Sequence, residues 1–339
     1  MNNVLSVFDA SAFVYAGEMT RNSTIKDLHY NMPIKGIVKL NTYVAQALAN
    51  YEDVVVCFDS KSFRKEILTC YKEHRVSNRE VRIQLDYLYK MYSRYGITCL
   101  KEDGLEADDL IYTVTEICKK NYKRVNIYGC DYDLTHNVDV NVNFLTMSSQ
   151  VNSVDINSFE TLMKTPFNTI TLKKTIFGDA SDNVPAFKGS VSNKQLFEIA
   201  LGAYNYLKGK NMLRSPNDEK AFLFFLQYLK QNNTIPSGEI EELRNRGKVF
   251  YPKVGKLEGV KYISNRSNID TIGLHKFLCE TNSITASRYF DRTFRRDARV
   301  VEELKEWGNS YKSGDYFINN SIVSSCKKLD SSIINLKGL

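Results

Sequence analysis

Apolar residues recur along the chain in two rhythms. Short runs that are apolar nearly throughout, VLSVFD at 4–9, DVVVCFD at 53–59, ITCL at 97–100, VNIYGCD at 125–131 and VNFLT at 142–146, have the length and β-branched content of buried strands. Between them the apolar positions fall at helical spacing: Ile34, Ile37, Val38, Val44, Ala45 and Leu48 within 33–51, then Leu110, Ile111, Val114, Ile117 and Cys118 within 107–121. Buried strands alternating with helices predict βαβ units and a mostly parallel central sheet flanked by helices, an α/β fold. Past Asn157 the strand signal fades. Helices are predicted over 159–177, 192–208, 221–229, 240–247 and 270–305, with irregular chain over 251–268. The pattern divides the chain into an α/β region, 1–156, and a helical region, 157–339, with no repeat or low-complexity linker between them.

The strands share a feature that periodicity does not require, because they end in acids: Asp9, Asp59, and Asp131 with Asp133. In a parallel sheet the carboxyl ends of the strands lie along one edge, where ligands bind. The helix that opens with Glu106-Ala107-Asp108-Asp109 starts at that edge too. Acids in a first turn also favour the positive end of the helix dipole, and each acid alone has a structural use as a cap or turn residue. Together with Asp179 and Asp182 of the segment GDASDNVP at 178–185, nine carboxylates are directed to one region. Like charges so close raise one another's pKa or require cations. Without histidine or thiolate donors the set selects hard, oxygen-loving metals, Mg²⁺ or Mn²⁺. Two such ions about 3.5–4 Å apart can activate a water and stabilise a leaving oxygen, which points to phosphodiester hydrolysis.

Composition changes this picture little. The chain's 339 residues, 43% hydrophobic, suffice for a large core or two domains, and its net charge of +7 permits nucleic acid as a partner. The basic residues concentrate after Ser60, where Lys61, Arg64, Lys65, Lys72, Arg75, Arg79, Arg82, Lys90 and Arg94 outnumber the acids and tyrosines are interleaved. Seven cysteines form no CxxC pair and four histidines no zinc spacing, so free thiols in a reducing compartment are expected. There is no cationic start followed by an apolar stretch and no long apolar run. The expectation is a soluble, non-secreted, cytoplasmic protein without membrane contact.

Taken in order, Asp9, Asp59, the quartet from Glu106 to Asp109, Asp131-Tyr132-Asp133 and the GDASDN segment resemble the pattern of the 5′ nucleases. That family includes flap endonucleases, phage 5′-exonucleases and the nuclease domain of bacterial DNA polymerase I, and the nearest resemblance is to stand-alone phage 5′-exonuclease and ribonuclease H type enzymes. The resemblance runs from Asp9 to about Ala200. It implies a PIN-like core with a basic helical arch at 60–96. It also implies a cage for two Mg²⁺ or Mn²⁺ ions built from Asp9, Asp59, Glu106, Asp108, Asp109, Asp131, Asp133, Asp179 and Asp182. Asp108, Asp131 and Asp133 would be direct ligands; Glu106, Asp109 and Asp179 would act partly through water, and Asp182 would hold a more distant ion.

Tyr71-Lys72-Glu73-His74-Arg75 resembles the family's YKxxR element at the base of the arch. The resemblance implies Lys72 and Arg75 on the scissile phosphate, Tyr71 stacked on a displaced base, and Arg64, Lys65 and Arg79 along the nucleic acid. Residues 178–205 occupy the place of a helix-hairpin-helix-like element that grips duplex phosphates and often K⁺. Here Gly189 is the single glycine between Pro185 and Lys194, so duplex grip and K⁺ are the least supported part of the resemblance, and Lys188 and Lys194 are the expected phosphate contacts. Arg292, Arg295, Arg296 and Arg299 share one predicted helix face, as a second phosphate track or a solvated face.

The implied activity is that of a monomeric 5′-3′ exonuclease or flap endonuclease. Its substrates would be 5′-flap, nicked or gapped DNA and the RNA of RNA–DNA hybrids, and it would work beside replication proteins such as single-strand binding protein or polymerase in primer removal or repair. Two other readings are a non-catalytic branched-DNA-binding member of the family and a phosphatase with an aspartate nucleophile. The second meets Ser11 where another acid would be wanted two residues after Asp9.

Overall fold

The computed structural model describes residues 4–19, 34–76, 78–146, 153–158, 169–213, 219–255 and positions 269, 270, 273, 274, 277 and 278. Six strands, β1 (Val4–Asp9), β2 (Asp53–Cys57), β3 (Thr98–Leu100), β4 (Arg124–Gly129), β5 (Val142–Thr146) and β6 (Ser153–Val154), form one sheet in the order β3-β2-β1-β4-β5-β6. Every pairing is parallel except β5 with β6. The chain steps from β1 outward to β2 and β3, then returns to place β4 on the other side of β1. The switch point therefore lies between β1 and β4, and such a switch opens a crevice beyond the strand ends.

The near-continuous apolarity of the strands follows from burial on both faces. Phe8, Val54 and Val56 point into one core cluster, while Leu5, Val7, Val55, Cys57, Val125 and Ile127 point into the other. The first cluster is covered by α1 (Ala10–Glu18), α2 (Lys35–Ala49) and α4 (Arg79–Arg94), and the second by α5 (Ala107–Cys118). A short α3 (Arg64–Ile67) lies between β2 and α4. Helix α1 goes unmarked in the sequence because it follows β1 without a break; Asp9 ends the strand and caps the helix at once.

The span expected as a basic arch divides in two. Val81, Leu88 and Tyr92 bury one face of α4 in the first core cluster, so 79–94 is scaffold, and 58–76 is the part that borders the sheet edge. The alternation of charge with tyrosine there reflects amphipathic packing of a surface helix.

Four further helices, α6 (Ile170–Phe177), α7 (Asn193–Gly209), α8 (Lys220–Gln231) and α9 (Ser237–Phe250), enclose a third cluster around Phe222, Phe225 and Leu243. They dock on the first unit through polar contacts as well as apolar ones. Arg64 Nε donates to the Val249 carbonyl at 2.6 Å and Gly255 N to Thr113 Oγ1 at 2.9 Å, while within the helical region Arg246 donates to the Thr175 and Pro185 carbonyls. Ile269, Leu274, Phe277 and Leu278 pack into the first cluster, so this part of the helical region lies on the α/β core. Among the described residues no helix is long and apolar enough to cross a membrane. Cys57 and Cys118 are buried free thiols and Cys130 is an exposed one. The four arginines from 292 to 299 lie outside the described residues.

Helices α1 and α2 approach at a pair of glycines. A Cβ on Gly36 would stand 2.6 Å from Val14 Cα and 2.8 Å from its carbonyl oxygen. Gly36→Ala gains about 1 kcal/mol of helix propensity but forces backbone apart, at about 1–3 kcal/mol. A net loss of stability in urea unfolding is the expected outcome, and a stabilised variant would show that the helix pair can separate freely.

Candidate active site

Three of the acids are fixed by hydrogen bonds that the local backbone makes unavoidable. Asp9 accepts from Ala12 N at 3.0 Å at the start of α1. Asp131, just after β4, accepts from Asp133 N at 3.0 Å and caps a 3-10 turn over Tyr132–Asn137. Asp59 accepts from Ala107 N at 2.8 Å, which ties the end of β2 to the first turn of α5. Strand end and helix start are thus joined by the same carboxylates that crowd the edge.

That crowding is visible in the acidities. Burial, then the charge of Asp59 and that of Asp131, push the Asp9 carboxyl up to about 7. Burial and the Asp9 charge raise Asp108 well above the usual range, with Lys72 opposing. Burial and Asp131 lift Asp133 to about 6 although Lys174 pulls the other way. Asp9 and Asp108 come from different elements, and the Asp9 charge raises Asp108, so the end of β1 and the α5 start lie close together.

Cations ring this centre. Glu106 accepts from Tyr71 Oη at 2.8 Å, Lys72 Nζ at 2.9 Å and Arg64 Nη1 at 3.2 Å. Burial pushes the Glu106 carboxyl up, but Lys72 and Arg64 outweigh it and hold it below the ordinary range. Arg75 pairs with Asp182 at 2.5 Å. The ammonium of Lys174, in the last turn of α6, lies 2.6 Å from Asp179 Oδ2 and also bonds Asp133.

The GDASDN segment presents these acids through a tight loop. Asp179 and Val184 exchange backbone bonds at 2.8 Å, Gly178 takes φ of +80°, and a Cβ there would meet the Val184 carbonyl oxygen at 2.4 Å. Lys72 is held at φ of +52°, unusual for a non-glycine residue, with its N–H donating to the Asp182 carbonyl at 2.8 Å.

The resulting crevice is lined by Tyr71, Lys72, Arg75, Glu106, Asp108, Asp131, Asp133 and Asp182, with Arg64 and the His136-Asn137 pair also in its wall. Asp9 joins through its charge and Asp179 through Lys174. Three expectations need correcting. Arg64 is not a surface contact for nucleic acid: it is 4% exposed and donates to Asp109 through two bonds of 2.6 and 2.7 Å. Tyr71 is 3% exposed with its hydroxyl on Glu106, so its ring is not free to stack on a base. Asp109 is fully buried and accepts from Arg64, Glu106 N and Lys253 N, so its oxygens are committed to the fold.

Lys65, Arg79, Lys188 and Lys194 are exposed. Between the last two, Ser190 gives both its N–H and its hydroxyl to Glu239 of α9, so a carboxylate already occupies the donors that a phosphate would use. Sequence reasoning missed Lys174, whose place a turn before Gly178 reads as an ordinary basic residue at a helix C-terminus. It also missed His136, a buried ring held neutral by burial, with its pKa lowered to about 4.

An all-carboxylate donor set fits Mg²⁺ or Mn²⁺, and a bound cation would relieve the crowding at Asp9, Asp108 and Asp133. As the side chains stand, no three acid, histidine or cysteine groups among the described residues are clustered as a ready-made cage. Lys72, Arg75 and Lys174 each hold a carboxylate of the rim.

A mostly parallel six-stranded sheet in this order with flanking helices is a PIN-like α/β fold. Residues 5–164 match the model of the 5′-3′ exonuclease N-terminal, resolvase-like domain. A 5′-3′ exonuclease of Buchnera aphidicola (subsp. Acyrthosiphon pisum) is 25% identical over 193 residues, 54% of this chain and 65% of the relative. That of Buchnera aphidicola (subsp. Schizaphis graminum) is 27% identical over 233 residues, 66% of this chain and 81% of the relative. The chain therefore spans just under two thirds of the first relative's length and four fifths of the second's. Among solved structures, human GEN1 in complex with Holliday junction DNA aligns over 93% of this chain and 75% of its own at 12% identity and a TM-score of 0.50, a likeness of fold alone.

Two outcomes follow from these pairs. Arg64→Met leaves the Asp109 charge buried without its partner and is expected to cost about 3–5 kcal/mol in urea unfolding; a loss below about 1 kcal/mol would mean that the pair behaves like a surface salt bridge. Asp9, near 7 when folded, binds more protons than in the unfolded chain between about pH 4 and 7. The stability this contributes is complete below the unfolded pKa and is lost as pH rises through the folded one. In EDTA, stability should fall from about pH 4 to about pH 7, and Asp9→Asn should fall less steeply, by about 1 kcal/mol per pH unit. Equal slopes would place Asp9 outside the cluster.

Proposed function

We propose that the chain is a divalent-metal-dependent 5′ nuclease that hydrolyses phosphodiesters at 5′ ends or flaps of branched DNA and in the RNA strand of RNA–DNA hybrids. The observation that carries this reading is the juxtaposition of Asp9, Asp108, Asp131 and Asp133 at the switch point with the Lys72–Arg75 segment on its rim. The names of the relatives, 5′-3′ exonucleases, and the DNA bound to GEN1 support the polarity and the substrate class. Asp9, Asp108, Asp131, Asp133 and Asp179 would hold Mg²⁺ or Mn²⁺, with Asp59 and Glu106 behind them. Bound there, two such ions lower the pKa of a water and stabilise the leaving oxygen.

The remaining work falls to the chain itself. Lys72, fixed by its backbone and by Glu106, and Arg75, half exposed, place two positive charges where a phosphate entering the crevice would meet them. Buried Arg64 keeps the Asp109 end of α5 in place, so Asp108 stays oriented without direct contact between Arg64 and substrate. We assign duplex contact near 185–194 to the exposed Lys188 and Lys194, and not to backbone amides with K⁺, because Glu239 takes the Ser190 donors. Primer removal or repair in the cytoplasm, beside other replication proteins and as a monomer, is the setting that suits these substrates.

Asp131→Asn with Asp133→Asn should abolish Mg²⁺-dependent cleavage of a 5′-flap substrate while leaving flap binding detectable in a gel shift. Lys72→Ala should lower the single-turnover rate by about 10²-fold or more. Undiminished cleavage by the double variant would remove the site assignment. Tight flap binding by the native chain with no turnover in Mg²⁺ or Mn²⁺ would favour the non-catalytic reading.

A further inference from the structure

Lys174 is the cation in the site that the proposed reaction does not use. Its ammonium bridges Asp133, on the turn that follows β4, and Asp179, on the loop that follows α6. Burial alone would lower its pKa, but Asp133 and Asp179 together keep it charged. The bridge joins two acids that belong to separate elements, and a divalent ion between them would need the same oxygens.

We propose that Lys174 is an internal competitor for one of the two divalent-ion positions, its ammonium holding the Asp133–Asp179 pair together until an ion displaces it. This rests on the metal-dependent reading above. One ammonium carries a single charge and offers only hydrogen bonds, whereas Mg²⁺ or Mn²⁺ carries two charges and is ligated directly by carboxylate oxygens. Both cannot occupy the space between the two carboxylates. The lysine side chain is 21% exposed and has a flexible four-carbon stem, so it can withdraw toward solvent from the end of α6. Lys72 and Arg75 hold other carboxylates, Lys72 pairing with Glu106 and Arg75 with Asp182, so neither stands between Asp133 and Asp179.

Competition of this kind makes one position weaker than its oxygen set alone would make it. With Lys174 in place the Asp133–Asp179 pair carries a compensating positive charge in the free protein, and the first ion takes the other position.

The test is Mn²⁺ titration of the full chain without nucleic acid, by calorimetry and by the electron paramagnetic resonance of free Mn²⁺. Lys174→Met and Lys174→Gln, which remove the charge in two different ways, should each tighten one class of site about 10-fold or more and leave the other unchanged. Lys174→Arg should stay near the native affinity. Unchanged or weaker Mn²⁺ affinity in both neutral variants, with circular dichroism as for the native chain, would overturn the proposal and make Lys174 a strut that positions Asp133. Mn²⁺ binding by the neutral variants but not by the native chain would be its strongest support. No Mn²⁺ binding by any of them would overturn the metal-dependent reading itself, and this proposal with it.

Discussion

Packing several carboxylates against one edge of a parallel sheet is the constraint on which the rest of the structure depends. Two unit charges about 4 Å apart repel by about 4 kcal/mol at the effective dielectric of a protein surface. Asp9, Asp108 and Asp133 show the strain directly, with carboxyl groups held above their ordinary range. A fold of marginal stability can keep such a cluster only if its surroundings return part of that energy. Here they do so in two ways. Strand-end aspartates double as caps, so each also satisfies backbone N–H groups, and lysines and arginines line the rim.

The rim cations are of two kinds, and burial separates them. Arg64 is enclosed with Asp109 and fastens α5, α3 and the chain after α9 to one another. Breaking a pair of that sort leaves a charge stranded, so the pair belongs to the scaffold. Arg75 is half exposed, and pairs open to solvent are worth little, while Lys174 is one-fifth exposed at the end of a flexible stem. Those are the contacts a phosphate or an ion could exchange without disturbing the fold. Lys72 stands between the two kinds, with a mobile head on a backbone held at positive φ.

Much of this was legible in the sequence because both-face burial makes parallel strands read as apolar runs, and because a strand-end acid is visible wherever such a run stops. VLSVFD, DVVVCFD and VNIYGCD gave β1, β2 and β4 almost to the residue. The 3.6 period likewise gave α2, α5, α7, α8 and α9. What stayed hidden depends on partners distant in sequence. Nothing in the local pattern distinguishes Arg64, buried on Asp109, from Lys65, exposed beside it, and Tyr71 reads as a free aromatic until Glu106 is placed under its hydroxyl. Lys174 is invisible for the same reason: two acids from two loops define it. The missing α1 and the core-facing α4 are failures of periodicity, the first masked by an adjoining strand and the second by its high charge.

The direct test of a metal-dependent 5′ nuclease is a cleavage map of the native chain on end-labelled 5′-flap, nicked, gapped and RNA–DNA hybrid substrates, with Mg²⁺ and with EDTA. Short products released from the 5′ side in Mg²⁺, and intact substrate in EDTA, are the predicted result. Equal cleavage in EDTA, or products released from the 3′ side, would contradict it.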